Sequence, residues 1–311
     1  MIPDNFKVAI LLSTYNGGKF LERQLDSVLK QTFQNYVIVI RDDGSTDNTL
    51  QIIDHYLVDN PDRIRMVNGF GKNLGPSQSF GRLVEYVLAN KTELGIIGFA
   101  YIAFCDQDDV WDPKKLEITI EALLSKHSDP SQPVLVHTDL RVVDEQLKII
   151  SSSLAAYQHL RPQSRNFGRR LVENSVTGCT VLINESLANK AIPVPESAVM
   201  HDWWLALVAS ISGEILFVNQ ATVNYRQHSG NLLGAVPIKP ARLFSKKLIK
   251  RVFNRDSEAL LRDVGLQSIQ FKLRYSEKMG FRQKLLCGTT GTMRKLPPVL
   301  QKIIFRFVRL L

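Results

Sequence analysis

"KVAILLSTYNGGKFLERQLDSVLKQTFQNYVIVIRDDGS", residues 7–45, reads as a strand, a helix and a second strand. Both ends are continuous apolar runs, "KVAILLS" (7–13) and the start of "YVIVIRDDGS" (36–45), each closed by turn residues. A β-branched run without polar alternation belongs to a strand covered on both faces. Between the runs, Phe20, Leu21, Gln24, Leu25, Val28 and Leu29 fall at helical spacing. The strands are therefore joined by a helical crossover and lie parallel, a βαβ unit.

The same alternation continues downstream. Ser45 or Thr46 can cap a helix through "DNTLQIIDHYLVD" (47–59), "RIRMVN" (63–68) is a short third strand, and "GPSQSFGRLVEYVLAN" (75–90) a further helix. Residues 99–105 and 134–138 supply two more strands around the helix "PKKLEITIEALLSK" (113–126), with Pro113 at its start. This predicts an α/β fold, a Rossmann-like and mainly parallel sheet flanked by helices. Ligands of such sheets bind beyond the C-terminal ends of the strands. Polar clusters stand at four of those ends: "STYN", "DDGS", "DQDD" and "HTD". One shared site is expected there.

At 311 residues, 44% apolar and 22% charged, the chain has the balance of a globular protein with a sizeable core. Cys105, Cys179 and Cys287 are too scattered for a disulfide framework or a zinc site, which points to a reducing, cytoplasmic setting. The N-terminal apolar run is too short and too lightly flanked by positive charge for a secretory signal. The longest uncharged apolar run, Leu94–Cys105, falls short of the roughly 20 residues of a membrane-spanning helix. Charge is unevenly spread: the net is +9, yet residues 241–311, with 17 Lys and Arg against 4 Asp and Glu, carry +13 and leave residues 1–240 at −4. A negative body argues against nucleic acid, and the basic tail predicts an anionic surface as its partner.

A phosphate loop is not the answer to these charges, since "GFGKNLG" (69–75) does not follow the first strand and no GxxxxGK[ST] occurs. Asp42 and Asp43 either turn the chain before Gly44 or accept hydrogen bonds from a base or ribose at the strand end. Asp106 and Asp108, two apart, point to one side of an extended backbone. Paired carboxylates suit a hard divalent cation, Mg2+ or Mn2+, able to bridge a diphosphate. The plainer reading of that loop is a solvated cap for the next helix, with Asp112 as its N-cap. Asp202 opens the apolar helix "MHDWWLALVAS" (200–210), as a macrodipole partner or, beside the flat Trp203 and Trp204, as the base for a hydroxyl. After "ATVNY" (221–225), Arg226 suits anionic oxygens and His228 a third metal position.

"STYNGGKFLERQLDSVLKQT", "IRDDGSTDNT", "NLGPSQSF", "FCDQDDVW", "LVHTDLRVVD", "VTGCTVLIN", "HDWWLALVAS" and "YRQHSGN" together resemble the inverting family 2 glycosyltransferases of the GT-A fold, and within them the bacterial rhamnosyltransferase-like members. The motifs keep the family's order across about residues 7–234. The resemblance implies a nucleotide-sugar donor whose base and ribose meet Thr14, Tyr15, Asn16, Asp42 and Asp43, with Asn73 nearby. It places donor and metal at Asp106, Gln107 and Asp108, with a one-residue ambiguity between Asp108 and Asp109. It makes Asp202 the catalytic base and puts His201, Trp203 and Trp204 on the acceptor side. The implied activity is a single displacement that moves a sugar to a hydroxyl of a lipid-linked or growing cell-surface polysaccharide such as an O-antigen. L-rhamnose from dTDP-L-rhamnose is the favoured donor, and a UDP-hexose or UDP-N-acetylhexosamine the alternative. A non-catalytic sugar-nucleotide-binding or glycan-binding subunit is disfavoured by the joint presence of "DQDD" and Asp202.

The tail has a logic of its own. "ARLFSKKLIKRVF" (241–253) and "VLQKIIFRFVRLL" (299–311) each read as a basic amphipathic helix, the second with Leu300, Ile303, Ile304, Phe307 and Leu311 on one side and Lys302, Arg306 and Arg309 on another. Residues 1–234 are thus expected to form the catalytic domain and 235–311 a helical basic region. That region would lie peripherally on the anionic inner face of the cytoplasmic membrane, or pack on the domain or on a second subunit of a homo-oligomer.

Overall fold

The computed structural model of the chain describes residues 2–3, 5–67, 73–126, 129–228 and 255–311. The βαβ unit is β1 (Val8–Thr14), α1 (Leu21–Leu29) and β2 (Tyr36–Asp42), with β1 and β2 parallel. It is extended by α2 (Thr49–Asp59), β3 (Ile64–Met66), α3 (Pro76–Ala89) and β4 (Tyr101–Cys105). Next come β5 (Val110–Trp111), α4 (Lys115–Lys126), β6 (Val134–Val143), β7 (Ile149–Ser151), α5 (Leu154–Tyr157) and α6 (Phe167–Val172). The second half closes with β8 (Leu182–Asn184), α7 (Glu185–Ala191), α8 (His201–Ser212) and β9 (Glu214–Arg226).

The strands form one sheet in the order β3-β2-β1-β4-β8-β6-β9-β5, with β7 on β6. The half from β3 to β4 is parallel, as the buried runs predict. The other half is mixed: β8 runs antiparallel to both β4 and β6, while β6 and β9 are parallel along most of their length. Strand residues alternate between two cores. Val8, Ile10, Leu12, Ile38 and Ile40 pack against Leu21, Leu25 and Val28 of α1 and Leu116 and Ile120 of α4. Ala9, Leu11, Val37 and Val39 join Phe80, Leu83, Val84 and Val87 of α3 on the opposite face. Burial on both faces is what removes polar alternation from these strands.

Three further helices follow, α9 (Arg255–Tyr275), α10 (Phe281–Thr292) and α11 (Pro298–Leu310). Leu261, Val264, Phe271, Tyr275, Leu286 and Val308 sit in the same core as α3 and α8, and the Phe271 ring meets Trp204 edge-on at 5.5 Å. The described part of the basic region thus shares a core with the first 228 residues rather than standing apart from them. The expected helix at 241–253, the end of "YRQHSGN", and residues 68–72 of "RIRMVN" and "GFGKNLG" lie outside the described residues. No helix among the described residues is long and apolar enough to cross a membrane.

Candidate active site

Parallel register assembles the site. Thr14 lies opposite Asp42, and Leu12 opposite Cys105, so the residues following β1, β2 and β4 meet along one edge of the sheet. A cavity of about 480 Å3 opens there, lined among others by Thr14, Tyr15, Asp43, Asn73, Asp106, Gln107 and Asp108. All seven are among the residues that the sequence points to as donor or metal positions, and the fold brings them to one cavity.

Several of them are also structural ties. Asp42 accepts from Thr14 Oγ1 at 2.8 Å, Ser45 N at 2.8 Å and Gly44 N at 3.1 Å. It builds the turn, where Gly44 takes φ +93°, and does not line the cavity. Asp43 pairs with the fully buried Arg41 and accepts from Leu74 N and Gly75 N at 2.8 Å each, joining β2 to the start of α3. Removing one partner of such a buried pair costs about 3–5 kcal/mol, so this carboxylate holds the wall it lines. Asn16, at φ +48°, accepts from Thr46 N at 2.7 Å and is likewise a loop tie outside the lining. The Gln107 amide clasps Tyr15 from both sides, accepting from its N–H at 2.8 Å and donating to its carbonyl at 3.0 Å. A Cβ on Gly17 would sit 2.2 Å from Gln107 Oε1, which accounts for the first glycine of "NGG".

The acidic loop spans the gap from β4 to β5. Because β5 pairs with β9, Trp111 opposite Val223, the end of β9 passes beside the loop. His228 Nε2 consequently lies 2.7 Å from Asp108 Oδ2. Asp106 and Asp108 line the cavity, whereas Asp109 is fully buried, turned inward, and accepts from Arg226 N at 3.2 Å. Burial first, then the charges of Asp108 and Asp202, lift Asp106 from its ordinary 3.8 to about 7. Burial and the charges of Asp108 and Asp106 also push Asp109 well up, toward the neutral acid.

Two donor sets could receive a cation. Asp106, Asp109 and Cys179 bring one ligand atom each within 4.8 Å of one another, but burial and Asp109 hold the Cys179 thiol well above its ordinary value, and a protonated thiol is a poor ligand for a hard ion. Asp108, His228 and the neighbouring Asp106 offer carboxylate oxygen and imidazole nitrogen, the donors that Mg2+ or Mn2+ takes from proteins. The donor chemistry of this second set suits the implied ion, with Asp108 and His228 in contact and Asp106 lining the same cavity, although among the described residues the three do not gather their ligand atoms within 4.8 Å as the first set does.

Asp202 is held in the first turn of α8, accepting from Gly178 N at 2.8 Å and Asn174 Nδ2 at 3.0 Å. Burial lifts its pKa to about 6 against the pull of those hydrogen bonds. Its neighbours on α8 depart from expectation. Trp203 and Trp204 are core residues, their indole N–H groups donating to the carbonyls of Arg170 and Ala191 at 2.7 and 2.9 Å. His201 is buried against Phe80 and Phe104 and held neutral, its pKa lowered by burial to about 3. None of the three presents a platform to an acceptor. The reason is that α8 is covered on almost every side, by the sheet, α3, α7 and α9, so aromatic bulk there fills a core.

Arg226 is corrected as well. Its guanidinium donates to the backbone carbonyls of Asp108, at 2.8 Å, and Glu145, and lies over the Phe20 ring at 4.6 Å. It braces the acidic loop from behind and is absent from the cavity lining, where a diphosphate contact was expected. Asp112, expected as the cap of α4, pairs through its carboxylate with Arg141. Conversely, Ser13, Gly75, Phe80, Met200 and Tyr225 line the cavity without having been anticipated. Met200 and Tyr225 each adjoin a residue that was named, and strand alternation places Tyr225 on the side opposite Arg226. Asn174 had no signal in the sequence, because its role is set by where α8 begins.

The sequence model of "Glycosyl transferase family 2" matches residues 9–188. The dTDP-rhamnosyl transferase RfbG of Shigella flexneri is 27% identical over 241 residues, covering 72% of this chain and 74% of that protein. The UDP-Glc:alpha-D-GlcNAc-diphosphoundecaprenol beta-1,3-glucosyltransferase WfgD of Escherichia coli is 26% identical over 188 residues, 60% of this chain and 63% of its own length. Among solved structures, residues 1–349 of TarS of S. aureus in complex with UDP-GlcNAc superpose with a TM-score of 0.58 at 16% identity, covering 98% of this chain and 90% of that one. That likeness shows the GT-A fold.

Proposed function

The chain belongs to glycosyl transferase family 2, and on that premise we propose that it transfers L-rhamnose from dTDP-L-rhamnose, with inversion, to a hydroxyl of a lipid-linked or growing surface polysaccharide at the inner face of the cytoplasmic membrane. One observation carries the catalytic reading: Asp108 touches His228 beside a cavity that Asp106 also lines. Asp202 lies outside that lining, close enough for its charge to act on Asp106. Rhamnose is supported by the match to the Shigella protein, longer than the match to the glucosyltransferase. A lipid-linked acceptor is supported by the diphosphoundecaprenol in the latter's name.

In the reaction, Asp202 takes the proton of the acceptor hydroxyl. The oxygen attacks the anomeric carbon from the face opposite the diphosphate, and the bond from that carbon to the diphosphate oxygen breaks, its electron pair leaving with dTDP. Gly178 and Asn174 fix the orientation of the base. Gln107 and Arg226 hold the loop that carries Asp106 and Asp108, and these with His228 would hold Mg2+ or Mn2+, whose charge offsets that of the departing diphosphate.

Thermal unfolding with a panel of nucleotide sugars, with and without Mn2+, tests the donor. A ligand at a hundredfold excess over its Kd stabilises by about 2.7 kcal/mol, a rise of several degrees in Tm. The largest rise is expected with dTDP-L-rhamnose and Mn2+ together. A larger rise with UDP-sugars would replace the donor, and none with any nucleotide sugar would overturn the enzyme reading.

A further inference from the structure

The outer face of α10 and α11 is apolar, exposed and free of acidic residues. On α11, Leu300, Ile303, Phe307 and Leu310 are 45%, 57%, 56% and 80% exposed, and at about 100° per residue they span an arc of roughly 80°. The opposite side carries the packing: Gln301 and Val308 are fully buried, Ile304 is partly so, and Gly168 of α6 lets the helices touch, since a Cβ there would lie 2.3 Å from the Val308 carbonyl. The stripe read from the sequence is therefore split, with Ile304 turned into the core and the rest left outside. On α10, Phe281 and Leu285, 84% and 58% exposed, continue the apolar face. Arg282 donates to the Leu311 carbonyl, which brings the start of α10 to the end of α11.

Charge selects the occupant. From Lys278 to Leu311 there are eight Lys and Arg and no Asp or Glu. On α11, Arg306 stands exposed at one border of the apolar arc, whereas the Lys302 ammonium beside it is buried and Arg309 is paired with Glu173, just past α6; Arg294 and Lys295, shortly before α11, are exposed as well. No described helix can span a bilayer. An apolar arc bordered by cations is the arrangement of a helix lying in the interface of an anionic membrane, side chains in the acyl boundary and cations at the headgroups. A subunit contact would carry acidic partners for some of these cations if the face met its own copy, and the stretch has none.

We propose that this face of α10 and α11 docks the protein on an anionic lipid surface. The proposal draws its purpose from the lipid-linked acceptor read above, but its observations are independent of the cavity. Sedimentation of the full chain with phosphatidylcholine vesicles, with and without phosphatidylglycerol, tests it. The protein should sediment with the anionic vesicles, less so at high salt, and stay in solution with pure phosphatidylcholine. The double variant Ile303→Asp/Phe307→Asp, both exposed positions, should lose at least tenfold in vesicle partitioning while keeping its Tm and its Tm response to donor with Mn2+. Equal partitioning of wild type and variant, or no preference for anionic vesicles, would overturn the proposal. So would light scattering showing a wild-type dimer that the variant breaks. A lost donor response in both proteins would count against the transferase reading alone.

Discussion

Asp202→Asn should lower transfer by about 10²–10⁴-fold, the contribution of a positioned general base, and leave donor affinity unchanged. The amide has the shape of the carboxylate and can still accept from Asn174, but it cannot take a proton. It also loses the acceptor that Gly178 N uses, a contact worth about 1 kcal/mol, against which stands relief from burying a carboxylate. The variant should therefore fold, and the readout is kcat with Kd measured beside it. The pH profile supplies an internal check. With its pKa raised to about 6, Asp202 is protonated and idle below that pH and ionised above it. Wild-type kcat should fall as pH drops through about 7 and then 6, where Asp106 and Asp202 in turn gain protons, and the residual activity of the variant should keep only the limb that belongs to Asp106.

Asp108→Asn and His228→Ala make the second large effect. These residues touch at 2.7 Å and would hold the cation that offsets charge on the departing diphosphate. Removing one such group costs about 10²–10³-fold in transfer. Donor binding should at the same time lose its dependence on Mn2+, which Asp202→Asn should retain. Calorimetric titration with and without Mn2+ separates the two sites. If both variants keep the Mn2+ dependence, the ligands are instead Asp106, Asp109 and Cys179.

What the sequence makes legible follows the range of the interactions involved. The parallel half of the sheet, β1 to β4, is readable because its pattern is local: buried runs, helical spacing and turn residues within about 40 positions. β8 is only three residues long and the first half of β9 carries Asn219 and Gln220 among its apolar residues, so neither shows its pairing. The convergence of Thr14, Asp43, Asp106 and Asp108 could be anticipated, since parallel strands deliver their C-terminal ends to one edge. The roles of Trp203, Trp204 and Arg226 could not. Aromatic and guanidinium side chains serve cores and sites alike, and only the surrounding elements decide: α9 covers Trp204, while the carbonyls of Asp108 and Glu145 take up Arg226. The amphipathic stripe of α11 was visible, but its division between a face seated on α6 and a face left open depends on contacts more than a hundred residues away.

The stereochemistry of the transferred sugar tests the central claim most directly, and it does not require the natural acceptor. When dTDP-L-rhamnose and Mn2+ are turned over slowly with water in the acceptor's place, proton NMR identifies the anomer first released, before it equilibrates. A single displacement driven by Asp202 predicts the anomer opposite to that of the donor. Release of the retained anomer would contradict the account.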